Sequence, residues 1–230
     1  MDILNTLLKN KISIPSDTKY AAIIGENPSS GARSPILWNK AYSNYKYGIK
    51  MYPFDVANIE ALNKLISFLK QDANFIGGAI AVPYKTKLAE ILGKNLTNET
   101  SKIKAVNCLY RDTAGNLIGT NTDGEAALIS LLKNKFSFDQ KKILVLGNGG
   151  VAKAVIAYIS TALDKSGELI VSRRTPNKDE INKEDNTNYV GWKDFPYELH
   201  KFDLVINCTS IGFGDNKDHS PLNLKEIKAL

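Results

Sequence analysis

Cysteine is scarce in this chain. The 230 residues contain two, Cys108 and Cys208, each beside an apolar segment. That usage fits buried thiols in a reducing cytoplasm and leaves too few for a disulfide framework or a zinc site. No apolar run approaches the ~20 residues needed to cross a bilayer. The opening residues, Met1 to Lys9, carry an early acid, a short apolar stretch and no small-residue cleavage site, so they do not read as a secretory signal. Blocks of basic residues interleaved with stacking aromatics are also missing. The net charge of +6 and pI near 9.1 therefore speak for solubility and a local pull on anionic ligands, not for nucleic acid. What remains is ordinary for a soluble globular protein: 43% hydrophobic and 23% charged residues, with length for one large domain or two small ones.

Short apolar runs alternate with helical periodicity. Residues 3 to 10 read as a short helix, and Tyr20 to Gly25 as a buried strand ending in glycine. Ser34-Pro35 opens a helix, with Ser as N-cap and Pro in the first turn, that runs to about Tyr45. Ile49 to Phe54 is a second strand. Asn58 to Gln71 is an amphipathic helix with Ile59, Leu62, Leu65, Ile66 and Leu69 on one face. Phe75 to Val82 is a third strand and Tyr84 to Leu92 a helix. Val106 to Tyr110 and Leu117 to Thr120 flank the turn cluster Asp112 to Gly115 and predict a hairpin. Helix Asp123 to Lys133 leads through Phe136-Ser-Phe138 to a strand at Ile143 to Leu146. Asn177 to Asn188 reads as a polar surface loop, and Phe202 to Asn207 as a further strand. The alternation predicts an α/β protein with mostly parallel sheets, divided into residues 1–122 and 123–230.

The most specific stretch is Gly147-Asn-Gly-Gly-Val-Ala152, between the strand at Ile143 and a helix beginning near Gly150. Gly147, Gly149 and Gly150 permit a tight turn and close approach of main chain to a ligand. The free amides of the following helix, from Gly149 and Gly150 through Val151 and Ala152, suit a pyrophosphate, with Asn148 inside the turn. At the end of the next apolar run, a site for NAD would place an acid against the ribose 2′-hydroxyl. Here stand Ser172, Arg173, Arg174 and Thr175, with Lys178 close behind. Guanidiniums and hydroxyls suit a 2′-phosphate, so the predicted cofactor is NADP. An Arg-Arg pair also serves as an ordinary solvated strand end. The strand at Phe202 delivers Asn207-Cys-Thr-Ser-Ile-Gly212 to its C-terminal end, where ligands sit in open α/β sheets.

In the first half, Lys85 follows Val82-Pro-Tyr84 at a strand-to-helix turn, Asn107 begins the hairpin, and Asp123 lies in Gly119-Thr-Asn-Thr-Asp-Gly124. A lysine and an aspartate facing each other across a cleft between two domains can share the proton of a substrate hydroxyl while hydride moves to or from a nicotinamide. Each has a plainer alternative: Lys85 as a solvated helix start, Asp123 as a helix N-cap, Asn107 as a turn residue.

Taken in order, these segments resemble the shikimate dehydrogenase family. Gly25, Pro28 (one residue later than the pattern) and Arg33-Ser34-Pro35 match its substrate loop; Ile80-Ala-Val-Pro-Tyr-Lys85 matches the segment ending in its lysine. Ala105-Val-Asn-Cys108 and Asn121-Thr-Asp-Gly124 follow. Gly147 to Ala152, Arg173-Arg-Thr175 and Asn207 to Gly212 match the motifs of its second domain. The resemblance implies a substrate domain followed by a Rossmann-type NADP-binding domain, and reversible NADP-dependent reduction of 3-dehydroshikimate to shikimate in aromatic amino acid biosynthesis. It implies Lys85 and Asp123 as the catalytic pair, Ser34, Asn107 and Thr122 on the substrate, and Cys208, Thr209 and Ser210 beside the cofactor, with no metal. The expected partner is a shikimate-like cyclic hydroxy acid, bound by a cytoplasmic monomer or homodimer.

Three departures set this chain apart. Ala32 stands where the family has a serine, and Ala79 and Ala81 where it has asparagine and threonine. Each removes a polar group from a site that bonds hydroxyls, which costs ~1–3 kcal/mol per lost partner. Measured against the pattern, the nucleotide domain also stops short at Leu230. Two rivals follow: a degenerate relative that binds nucleotide or a small acid without turnover, and a dehydrogenase for a different cyclic hydroxy acid.

Overall fold

Tyr20-Ala-Ala-Ile-Ile-Gly25 is almost wholly apolar, and it forms β1 (Tyr20–Gly25), a strand buried along its whole length. A computed structural model describes residues 3–174, 187–192 and 198–222, which cluster into two units, Met1–Asn121 and Thr122–Leu230. In the first unit β1 pairs in parallel with β2 (Lys50–Asp55) and β3 (Phe75–Ile80). A hairpin of β4 (Cys108–Arg111) and β5 (Leu117–Thr120) extends this sheet, giving the order β2-β1-β3-β4-β5 with antiparallel pairing from β3 outward. The Asp112 side chain closes the hairpin by accepting from the amides of Ala114 and Asn116.

The helices of this unit are α1 (Leu4–Leu7), α2 (Ser34–Asn44), α3 (Ile59–Gln71), α4 (Lys85–Leu92) and α5 (Asn98–Ile103). Asn58 caps α3 by accepting from the Ala61 amide at 2.9 Å, and Leu62, Leu65, Ile66 and Leu69 are buried in the main core. Ile59, expected on that face, is 46% exposed, because the apolar stripe begins one turn further on. At the far end of α3, Arg111 satisfies carbonyls that no helix can bond internally. It donates to Leu69, Asp72 and Phe75 oxygens at 2.7 to 2.8 Å. Ser34 is not the N-cap of α2: Arg33 holds that position without a side-chain bond, and Ser34 is the first helical residue, ahead of Pro35. Proline is tolerated there because amides of the first turn have no helical partner, so the Ser34 hydroxyl is not spent on capping.

In the second unit β6 (Lys142–Leu146), β7 (Glu168–Arg173), β8 (Thr187–Gly191) and β9 (Leu204–Asn207) form a parallel sheet in the order β8-β7-β6-β9. Helix α7 (Gly150–Ala162) follows β6, and α6 (Asp123–Lys133) packs on α7. Ile143, Val145, Val155, Ile159, Leu169 and Val171 make the core between sheet and helix. Two elements escape the periodicity argument. The polar segment of α5 buries only Thr100 and Ile103. Thr187 and Asn188, read as the end of a loop, begin β8 because Thr187 is buried and the register with β7 continues to Gly191; positions 177–186 of that loop lie outside the described residues. Among the described residues no helix is long and apolar enough to cross a membrane.

Gly78 sets the distance between β1 and β3. Its φ is +155°, and a Cβ there would lie 1.8 Å from the Ala22 carbonyl oxygen. Gly78→Ala should therefore lower the unfolding free energy by ~3 kcal/mol or more in a urea titration. Gly115→Ala, at a turn with φ +83° and no atom within 4 Å, should cost only ~1 kcal/mol. Equal costs would show that the sheet moves apart without difficulty.

Candidate functional site

In the first unit the residues singled out by sequence gather at one edge of the sheet. Parallel pairing puts the ends of β1, β2 and β3 together, and the antiparallel hairpin brings the start of β4 and the end of β5 to the same edge. In register, Ala79 faces Cys108, and Cys108 faces Thr120. Lys85, half-buried, is the first residue of α4, five positions beyond β3. Its carbonyl accepts from the Val106 amide at 2.8 Å, which ties the start of α4 to the segment entering β4. Asn107 is held from both sides: its carbonyl accepts from the Ile80 amide at 2.8 Å and its amide donates to Thr120 at 3.1 Å. Asn107, immediately before β4, is thus fixed by backbone bonds to both flanking segments. Buried Asn121 donates to the Ala105 carbonyl at 2.8 Å, and the Tyr84 hydroxyl donates to the Val56 carbonyl at 2.9 Å.

The loop from Gly25 to Ser34 lies at this edge too. Glu26 N–H donates to the Val82 carbonyl at 3.2 Å, and Ala81 N–H to Ile24 at 2.8 Å. The three departure positions do not scatter. Ala32, Ala79 and Ala81 pack with Tyr42 around Ala21, Ile23 and Met51 in one small apolar cluster. Burial pushes the Tyr42 hydroxyl up, with the neighbouring Cys108 adding to the effect. Burial also raises the Cys108 thiol. Both groups are neutral at pH 7.

In the second unit the glycine turn lies where the strand order reverses, with β6 and β9 side by side, and that crevice is where open α/β sheets bind ligands. Gly147 has φ +106°, and a Cβ there would come within 3.1 Å of the Cys208 carbonyl oxygen. Cys208 N–H donates to the Leu146 carbonyl at 2.9 Å, so the β9 loop runs against the turn. Asn207 folds that loop, accepting from the amide and hydroxyl of Thr209 at 2.9 and 2.7 Å and donating to the Ile211 carbonyl. Ser210 is exposed. Gly149 is the N-cap of α7, which starts with Gly150, Val151 and Ala152. A Cβ on Gly149 would meet no protein atom within 4 Å. A helix N-terminus approached over a bare glycine fits a pyrophosphate.

Asp123 is the first residue of α6, and Thr122 the cap, without a side-chain cap bond. The plainer reading of Asp123 as N-cap therefore does not hold. Asp123 lies near the β9 loop: burial pushes the Cys208 thiol up to about 11, and the Asp123 charge contributes. Cys208 is a thiol, not a thiolate, at neutral pH.

The two arginines after β7 part company. Arg173 is 6% exposed, and its guanidinium lies 4.7 Å from the Tyr189 ring centroid, a cation–π stack between neighbouring strands. Arg174 is exposed, while Ser172 is buried. No acid occupies the end of β7, in keeping with a 2′-phosphate. Thr175 and Lys178 lie outside the described residues. One group escaped the sequence reading altogether. Asp55, at the end of β2, is buried and bonds Ser29 in the Gly25–Ser34 loop; an acid closing an apolar strand was its only sequence signal.

Comparison with known proteins identifies relatives of the chain. The family model for the shikimate dehydrogenase substrate binding domain matches residues 23–109. A shikimate dehydrogenase (NADP(+)) of Methanococcus vannielii is 31% identical over 227 residues, covering 94% of this chain and 76% of that protein. Its counterpart in Carboxydothermus hydrogenoformans is 33% identical over 214 residues, covering 90% and 74%. The crystal structure of shikimate dehydrogenase from Aquifex aeolicus superposes with a TM-score of 0.77 at 26% identity, over 93% of this chain and 77% of that one. At 31 to 33% identity over nine-tenths or more of its length, this chain belongs to the shikimate dehydrogenase family.

Proposed function

We propose that this chain is an NADP-dependent oxidoreductase that interconverts 3-dehydroshikimate and shikimate on the cytoplasmic route to aromatic amino acids. The observation that carries the reading is the shared sheet edge at which Lys85 follows β3, Asn107 precedes β4 and Asn121 follows β5, in a chain whose relatives are named shikimate dehydrogenases (NADP(+)). Bound NADP supplies the hydride acceptor or donor. Lys85 takes the proton of the reacting hydroxyl during oxidation and returns it during reduction, with Asp123 as its partner. Ser34, Asn107 and Thr122 orient the ring through its hydroxyls and carboxylate. The amides of Gly149, Gly150, Val151 and Ala152 hold the pyrophosphate between the Gly147 turn and the Cys208-Thr209-Ser210 loop. Arg174 takes the 2′-phosphate together with Thr175 and Lys178, while Arg173 braces the strand ends through Tyr189.

The apolar cluster of Ala32, Ala79 and Ala81 favours a second reading of the substrate. Fewer polar groups line that side, which suits a weaker grip on shikimate or a related cyclic hydroxy acid with fewer groups to bond. Quinate and other cyclitol acids in the same assay separate the two.

Lys85→Ala and Asp123→Asn should each lower kcat by ~10²–10⁴, the range for loss of a general acid–base group, with melting temperature and NADP affinity unchanged. A fall in melting temperature with turnover preserved would assign these residues to structure instead.

Arg174→Ala should weaken NADP by about tenfold or more and leave NAD binding unaltered, since a charge-assisted bond is worth ~1.5–3 kcal/mol. Arg173→Ala should mainly lower thermal stability. Calorimetric titration of both nucleotides reads the difference, and equal loss of NADP and NAD affinity in Arg174→Ala would contradict the assignment.

A further inference from the structure

Between β1 and α2 the chain crosses eight residues, Glu26 to Arg33, before reaching Ser34. A loop of this length ending on a substrate hydroxyl needs an anchor, or Ser34 has no fixed place. The anchor is a carboxylate. Asp55 is 5% exposed and stands opposite Gly25 in the register of β1 and β2. One of its oxygens accepts from the Ser29 amide at 2.9 Å, and the other from the Ser29 hydroxyl. Ser29 sits in a short 3-10 turn, Pro28–Ser30, whose Pro28 carbonyl in turn accepts from the Ala32 amide at 3.0 Å. From there only Arg33 remains before Ser34.

Asp55 is itself fixed from the other side. Its amide donates to the Asn10 side chain at 2.9 Å, and its carbonyl accepts from the Lys9 amide at 2.8 Å. Lys9 also reaches the loop directly, donating through Nζ to the Asn27 side chain at 2.6 Å. Both carboxylate oxygens of Asp55 are thus engaged by a single residue of the loop, and charge-assisted bonds from a buried carboxylate are the strong kind. Such a pair costs more than it returns if it serves only to bury a charge, whereas it defines a loop position well. The adjoining cluster of Ala32, Ala79 and Ala81 offers only apolar contact; Lys9 and Val82 tie the start of the loop at Asn27 and Glu26, and the Asp55–Ser29 pair ties it beyond Pro28.

We infer that Asp55 and Ser29 are positioning residues: they set the loop that places the Ser34 hydroxyl on the substrate. The inference rests on the proposed shikimate dehydrogenase activity and on Ser34 as a substrate contact. It requires that Ser29 act through Ser34 and not on the chemistry.

Steady-state kinetics of four variants test this in the full chain, with shikimate and NADP+. Ser29→Ala removes one charge-assisted bond and should raise KM for shikimate by about tenfold, with kcat and KM for NADP+ unchanged. Ser29→Thr, which keeps the hydroxyl, should restore KM. Ser34→Ala should raise KM at least as far, and the double variant Ser29→Ala/Ser34→Ala should be no worse than Ser34→Ala alone. Additive effects in the double variant, a fall in kcat for Ser29→Ala, or no rescue by threonine would overturn the inference. An unchanged KM in Ser34→Ala would instead remove Ser34 from the substrate site. A raised KM in Ser34→Ala with none in Ser29→Ala would overturn the positioning role alone. Ser29→Ala leaves the buried carboxylate, and the bond it accepts from the amide of residue 29, in place, so the comparison does not depend on removing a buried charge.

Discussion

The close approach of β1 and β3 governs the first unit. A side chain on Gly78 would strike the Ala22 carbonyl, so the strands meet at this distance only because position 78 is bare. Their register then aligns Ile24 with Ile80, and the β3–β4 pairing carries it on to Cys108 and Thr120. Lys85, Asn107 and Thr122 all lie within a few residues of those strand ends. Three segments far apart in sequence reach one edge without any side chain having to recruit another, and backbone ladders hold them. Rigid elements place groups more accurately than loops do; the Gly25–Ser34 loop has the Asp55–Ser29 bonds instead of a ladder.

In the proposed function the second unit meets a different problem, the reception of phosphates, and would do so chiefly with backbone. Gly147 lets the turn pass beside the Cys208 carbonyl, and Gly149 leaves the start of α7 bare. Side-chain charge enters at the end of β7, where Arg173, its last residue, is buried against the Tyr189 ring while Arg174, just beyond the strand, is exposed. Beside the β9 loop, burial raises the Cys208 thiol and the nearby Asp123 adds to the rise.

Much of this was legible in the sequence because it is local. The apolar run of β1, the stripe of α3, the Asp112–Gly115 turn and the Gly147–Ala152 turn each announce themselves within a dozen residues. The failures share a cause as well. Helix α5 and strand β8 are polar segments, held by partners elsewhere and not by their own periodicity. The burial of Arg173 depends on Tyr189 in a neighbouring strand. Asp55 and Ser29 stand 26 residues apart, and no spacing rule pairs them. Ser34 was misread as a cap because a serine before proline looks the same whether it precedes the helix or opens it. The alanines at 32, 79 and 81 were visible singly, but only the fold shows that they share one cluster.

The central claim is that this chain, with its apolar substitutions, still oxidises shikimate at the expense of NADP+. Purified protein incubated with shikimate and NADP+, followed by the absorbance of NADPH, tests it most directly. The account predicts shikimate-dependent NADPH formation, saturating at a high KM that falls when Ser, Asn and Thr are restored at positions 32, 79 and 81. No NADPH at any shikimate concentration, from folded protein that binds NADP+, would contradict it.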